Sequence, residues 1–232
     1  MESAVRGLVI VVATILLVTG AYVAFRLSHP TFTHRYRLSV DVEVDGKIRS
    51  GSSVVEVSVQ EESVPGRGRL LVPSVRGEAA FVDLGQGRNV VALLSFPARS
   101  GDMPPIEPYM LARLAFDPPP HMNDLESYRN LASMSGRTDL TGTLRPRIVS
   151  FPDPTDPMVV HQIDPARLHE QFGEGVRLAR IGIELTDEKP KAQIEHRLPW
   201  MAHPERYRTI AGNPATWQPT IKLEELKRGR VE

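Results

Sequence analysis

Hydroxyl, carboxylate and imidazole side chains gather at two places in this sequence of 232 residues. The first is Ser50-Gly51-Ser52-Ser53, five positions beyond Lys47 when counted to Ser52. A serine nucleophile needs a base within hydrogen-bond reach, and a lysine held neutral can serve. The chain's lysines are Lys47, Lys189, Lys191, Lys222 and Lys227, and only Lys47 is near in sequence, across a turn that exposes it. The preferred reading is a small polar segment entering a strand. The second place holds Asp153, Asp156, His161, Asp164 and His169. Such density suits a divalent cation. No pair has i, i+4 helical spacing, however, and aspartates beside prolines are common turn formers. Neither cluster is assigned as a catalytic, cofactor-binding or metal site, and no cofactor is expected.

A third stretch speaks of binding. Between Pro104 and Met122 stand Ile106, Tyr109, Met110, Leu111, Leu114 and Phe116, stiffened by prolines on both sides. Aromatic and methionine side chains favour interfaces, and a stiff segment loses little entropy on docking. Ile106, Tyr109, Leu111, Leu114 and Phe116 are the expected partner-binding set; the competing reading buries them over the open face of a sheet. Gly85-Gln86-Gly87 lacks the third glycine of a dinucleotide loop, since Val90 stands there, so it reads as a hairpin turn. Trp200 and Trp217 are read as closing a small core.

Composition narrows the classes. With 28 basic and 28 acidic residues the formal net charge is zero, so nucleic acid is not an expected partner. The absence of cysteine removes disulfides, thiolate metal sites and thiol nucleophiles. Hydrophobic residues at 41% are ordinary for a folded domain, and 20 prolines with 17 glycines call for short elements and many turns.

The elements that must position these residues are mostly strands. Tyr36, Leu38, Val40, Val42 and Val44 alternate with polar residues, which predicts a half-buried strand. Asp45-Gly46 predicts a turn, and Val55, Val57 and Val59 a second strand. Glu78 to Leu84 and Asn89 to Phe96 follow as a hairpin, making 36–96 one expected antiparallel sheet with one face covered. Residues 97–121 form a proline-rich connection. A helix is predicted from Asn123 to Ser135, capped by Asn123 and ended by Gly136. Short strands are predicted over Arg147–Phe151 and Met158–Ile163. Asp164-Pro165 opens a helix to about Phe172. Val176 to Leu185 changes apolar phase, which predicts a β-bulge at Ala179 or Arg180. The expected class is α+β, dominated by antiparallel sheet and preceded by one N-terminal transmembrane helix. Its parts are a tail (1–6), the span (7–25), a linker (26–35), a β-rich domain (36–212, with a mixed α/β part from 122) and a charged tail (213–232).

The span rests on Gly7 to Phe25, uncharged residues bounded by Arg6 and Arg26. A helix of that length approaches the thickness of the hydrocarbon core. A cleaved signal peptide ending near Thr19-Gly20-Ala21 is the alternative; the apolar run continues past that point, which favours an uncleaved anchor. The arginines Arg26, Arg35 and Arg37 favour a cytoplasmic domain under the positive-inside rule. Analogy with single anchors bearing β-rich domains favours the opposite side, and the expectation is a bacterial inner-membrane protein with its domain outside the cytoplasm. The bilayer, met through residues 7–25, and an envelope protein are the expected partners.

The strings YRLSVDVEVDGKIRSGSSVVEV (Tyr36 to Val57), FVDLGQGRNVVALL (Phe81 to Leu94) and FPDPTDPMVV (Phe151 to Val160) resemble an uncharacterised group of bacterial proteins with a single N-terminal hydrophobic segment. That resemblance implies architecture and no chemistry. Ser50-Gly51-Ser52-Ser53 also superficially resembles the serine box of type I signal peptidases, but Met-x-Pro does not follow and no lysine stands in a matching string. The functional expectation is a non-catalytic interaction or assembly module tethered to a membrane. The alternative is a tethered hydrolase using Ser52 or a metal.

Overall fold

The computed structural model describes residue 7 and residues 12–22, 30–97, 105–116, 125–207, 209–210 and 221–231. The membrane span expected over 7–25 is corrected. The helical residues described there are Gly7 and 12–22, the latter labelled α1; the eleven consecutive described residues rise about 16 Å, roughly half of the hydrocarbon core. Among the described residues no helix is long and apolar enough to cross a membrane. Residues 8–11 and 23–25 of the expected span lie outside the described residues. The single-pass inner-membrane placement and the outward-facing domain rested on that span and fall with it.

The remaining described chain is α+β, built on antiparallel sheets. Strands β1 (Thr31–Val44) and β2 (Lys47–Val64) form a long hairpin closed by Asp45-Gly46, both at positive φ. That turn matches the right-handed twist of the strands it joins. Val40 pairs with Gly51 and Tyr36 with Val55, so the apolar residues of both strands share the inner face. β3 (Gly68–Glu78) returns along β2. At Glu78 and Ala79 the chain leaves this sheet, and β4 (Ala80–Gly85) and β5 (Arg88–Ala92) begin a second one. One continuous sheet over 36–96 was expected; the crossing at Ala79 divides it into two.

The first sheet has six strands, with β6 (Gly136–Asp139), β9 (Val176–Leu185) and β12 (Lys227–Arg228) completing the order β12-β3-β2-β1-β9-β6. The second has four, adding β7 (Ile148–Ser150) and β8 (His161–Ile163) in the order β4-β5-β7-β8. The bulge in β9 falls at Ala179, skipped where Asp41 pairs with Arg180 and Val42 with Leu178. Beyond it Ile181, Ile183 and Leu185 regain the buried face, as the phase change predicts.

Two cores result. The first joins Leu38, Val40, Val55 and Val57 to Val82, Leu84, Val90 and Ala92 across the two sheets. The second lies on the opposite face of the smaller sheet, where Val91, Leu93, Val149 and Phe151 meet Trp200, Leu198 and Leu226. A sheet covered on both faces needs apolar residues at every position, which accounts for the run VVALL after Asn89. The outer cover consists of α5 (Ile194–Arg197), two 3-10 turns, the pair β10 (Thr209–Ile210) and β11 (Ile221–Lys222), and α6 (Leu223–Leu226). The charged tail expected from 213 is thus, over 221–231, an integral layer with Ile221 and Leu226 buried.

Helices α2 (Pro108–Phe116) and α3 (Leu125–Leu131) pack on the inner face of the larger sheet at its Phe32–Tyr36 end. The Tyr36 hydroxyl donates to the Pro108 carbonyl at 3.1 Å. α3 is shorter than the predicted Asn123–Ser135, and Asn123 lies outside the described residues; Gly136 begins β6 rather than ending a helix. α4 (Leu168–Phe172) likewise starts four residues after Asp164, which closes a preceding turn instead.

His34 is buried under α3, its ring 6.1 Å from that of Tyr128, while the wholly buried Arg113 lies over the same tyrosine. Neither imidazole nitrogen of His34 has a hydrogen-bond partner among the described residues. Burial pushes the His34 pKa from 6.5 down to about 4. The unfolded chain therefore takes up a proton near 6.5 that the folded chain refuses until about 4. Stability is expected to fall as pH drops through that window, by on the order of 3 kcal/mol once it is crossed. Urea melts across the window check this, and His34→Leu should flatten the slope.

Candidate functional site

The outer face of the larger sheet is polar and its charges are arranged across strands. Arg37 pairs with Glu184 at 3.6 Å and with Glu188, Arg180 with Asp139 at 2.5 Å, and Arg177 with Glu43 at 2.5 Å. Most of these groups are well exposed, where an ion pair contributes little. One row differs. Arg35 on β1, Glu56 on β2 and Arg76 on β3 stand side by side, because the register pairs Arg35 with Glu56 and Glu56 with Arg76. Arg35 Nε donates to Glu56 Oε2 at 2.6 Å and Arg76 donates to Glu56 Oε1. Burial disfavours the Glu56 carboxylate, but its hydrogen bonds to the two guanidiniums outweigh that and hold its pKa below the ordinary value.

This row floors a cavity of about 430 Å³ lined by Thr33, Arg35, Glu56, Ser58, Arg76, Lys189, Pro190, Arg230 and Val231. The lining comes from distant parts of the chain. Thr33 and Ser58 face each other across β1 and β2, their hydroxyls 2.8 Å apart. Lys189 and Pro190 arrive on the segment after β9, which is held along β1 by Thr186 N donating to the Arg35 carbonyl at 3.0 Å. Arg230 and Val231 arrive from the C-terminus. β12 pairs with Gly77 and Glu78, and Gly229 at φ +65° then turns the chain onto Arg76. A Cβ at Gly229 would lie 2.7 Å from Arg76 Cγ and 3.1 Å from the Val75 carbonyl oxygen, so only glycine brings the tail this close.

Four basic side chains thus face one carboxylate, an excess of three positive charges in a chain whose formal net charge is zero. Lys189 and Arg230 form no ion pair among the described residues. Glu56 positions the two guanidiniums and uses one donor from each. The remaining donors, with the hydroxyls of Thr33 and Ser58, can close around an anion.

The residues singled out in the sequence lie elsewhere. Ser52 is exposed on the same outer face, opposite Ser39, in a shallow groove with Arg37, Asp41, Ser50, Arg137 and Glu184. Ser50 donates to Asp41 Oδ1 at 2.6 Å and Ser53 to the Glu78 carbonyl at 2.6 Å. No histidine or lysine lines that groove among the described residues. Ser52→Ala is expected to change stability by less than about 0.5 kcal/mol, read from urea denaturation. The glycine of that string does more. An added Cβ at Gly51 would lie 2.0 Å from the Phe81 carbonyl oxygen, because β4 crosses the larger sheet there. Gly51→Val is expected to cost at least about 1–3 kcal/mol, since backbone must move to admit the side chain.

The acidic and imidazole cluster resolves into turns. Asp153 Oδ1 accepts from Thr155 N at 2.8 Å, Asp156 Oδ1 from Met158 N at 2.8 Å and Asp164 Oδ1 from Ala166 N at 2.9 Å. His161 bonds to Gln171 at 2.9 Å. Among the described residues no group of three or more histidine, cysteine, aspartate or glutamate side chains is placed to hold a metal. Of the expected partner-binding set, Ile106 and Leu111 are buried in the first core, and Tyr109, Leu114 and Phe116 pack half-buried against it. Trp200 is buried 5.8 Å from the rings of Phe151 and Tyr207, and Trp217 lies outside the described residues.

Sequence reading missed the cavity because its floor is written at Arg35, Glu56 and Arg76, about twenty residues apart each time. Only the strand register joins them. The available signal was charge alternation, positive, negative, positive, on strands facing solvent. Compared with known proteins, the chain matches no family model, no curated protein and no solved structure.

Proposed function

We propose that this chain is a non-catalytic binding module that captures an anionic group on the outer face of its larger sheet. The observation that carries the reading is the cavity over Arg35, Glu56 and Arg76, with Lys189 and Arg230 beside them. A buried carboxylate that fixes two guanidiniums before any ligand arrives is the arrangement expected of a preorganised anion site. The formal net charge of zero argues for a local anionic group rather than a long polyanion such as nucleic acid.

The test is thermal unfolding at constant ionic strength in chloride, sulfate, citrate and phosphate. A multivalent anion should raise the melting temperature by several degrees at saturating concentration, since a ligand at a hundred times its Kd adds about 2.7 kcal/mol. Arg76→Ala should abolish the rise. Equal melting temperatures in all four salts would overturn the reading.

A further inference from the structure

We infer that the group captured in this cavity is the phosphomonoester of a small molecule, an inference that rests on the anion-binding reading above. The first argument is charge. A monocarboxylate ligand carries one negative charge, and Glu56 already supplies one to Arg35 and Arg76. The lining retains an excess of three positive charges with Glu56 in place. A phosphomonoester carries nearly two negative charges at neutral pH, with three strong acceptor oxygens. The second argument is donor geometry. Each guanidinium has five N–H donors, of which Glu56 takes one from Arg35 and one from Arg76. The rest, with Lys189 and Arg230, come from four separate segments, as a group with three diverging oxygens demands.

Size and surroundings select a small molecule. The cavity, at about 430 Å³, lies within the range of small-ligand sites and exceeds what a bare phosphate ion fills. Pro190 and Val231 line the same space and can meet the body of the ligand. A phosphopeptide would gain main-chain bonds only from an open strand edge. At the floor β2 is paired on both sides, with β1 and with β3, and the Arg35 carbonyl of β1 is already taken by Thr186 N at 3.0 Å.

Isothermal titration of the full-length chain tests this with glucose 6-phosphate, inorganic phosphate, glucose 6-sulfate, citrate and a phosphoserine peptide. Glucose 6-phosphate should bind at least about tenfold more tightly than the singly charged sulfate ester, a difference that narrows as pH falls below the second phosphate pKa near 6. The exposed double variant Lys189→Ala/Arg230→Ala should lose about tenfold or more without a change in melting temperature, and Arg230→Lys should recover only part, because lysine keeps the charge and loses the fork. Citrate binding as tightly as the phosphate ester would overturn the phosphomonoester and leave the anion site standing. Binding of the phosphopeptide alone would overturn the small-molecule assignment. Failure of every anion to bind would remove both this inference and the reading beneath it, and unchanged affinity in the double variant would place the ligand elsewhere.

Discussion

Glu78→Ala is expected to lower the unfolding free energy by about 3–5 kcal/mol, the range for removing one member of a buried ion pair. Glu78 stands where the chain leaves the larger sheet, and it is buried. Its Oε2 accepts from Gln193 N at 2.7 Å and Ile194 N at 2.9 Å, satisfying the first amides of α5. Its Oε1 lies 3.2 Å from Lys227 Nζ on β12. One carboxylate thereby fastens both ends of the outer cover to the crossing point of the two sheets. Removing it strands two amides and leaves Lys227 with Glu195 alone, at 2.6 Å. Equilibrium urea unfolding measures the loss. Glu78→Gln should recover part of it, because an amide oxygen still accepts. A loss below about 1 kcal/mol would mean that the cover is held by its apolar contacts alone.

The second large effect is expected at Leu111. It is wholly buried in the first core, between α2 and the larger sheet. Leu111→Ala should cost about 2–5 kcal/mol, as buried leucines do, and Leu111→Ser somewhat more because the hydroxyl adds an unsatisfied polar group. For a domain of this size each kcal/mol lowers the melting temperature by about 2–4 °C, so a shift of many degrees is expected in a thermal melt. A melting temperature within a degree of the parent would return Leu111 to the surface and reopen the partner-binding reading of the Pro104–Met122 stretch.

How much of this was legible depends on what each segment faces. β1 could be read from Tyr36 to Val44 because one face meets the core and the other meets water. Its first turn of pairing, from Thr31, was hidden by His34, a polar residue buried where the pattern calls for an apolar one. β3 escaped notice because Leu70 and Val72 point outward and Pro73 interrupts the run. Proline is tolerated there because β3 is paired only to β2 at that point, with β12 reaching no further than Gly77. The outer cover was unreadable for a different reason. Ile194, Trp200, Ile221 and Leu226 lie on elements of two to four residues, with Leu198 between two of them, too short to show any period. The string Ser50-Gly51-Ser52-Ser53 drew attention as chemistry, and its glycine instead marks the closest approach of the two sheets. The cavity floor was the least legible part, since nothing local joins Arg35, Glu56 and Arg76.

Chemical-shift mapping during titration with inorganic phosphate reads the anion site residue by residue. Saturable shifts are expected, confined to Thr33, Arg35, Glu56, Ser58 and Arg76, with Lys189 and Arg230, and in particular a response of the Arg35 and Arg76 side-chain N–H signals. The shifts should weaken as salt rises, because the site is charged and open to solvent. Shifts scattered over the surface, or centred on the groove at Ser52, would contradict that assignment.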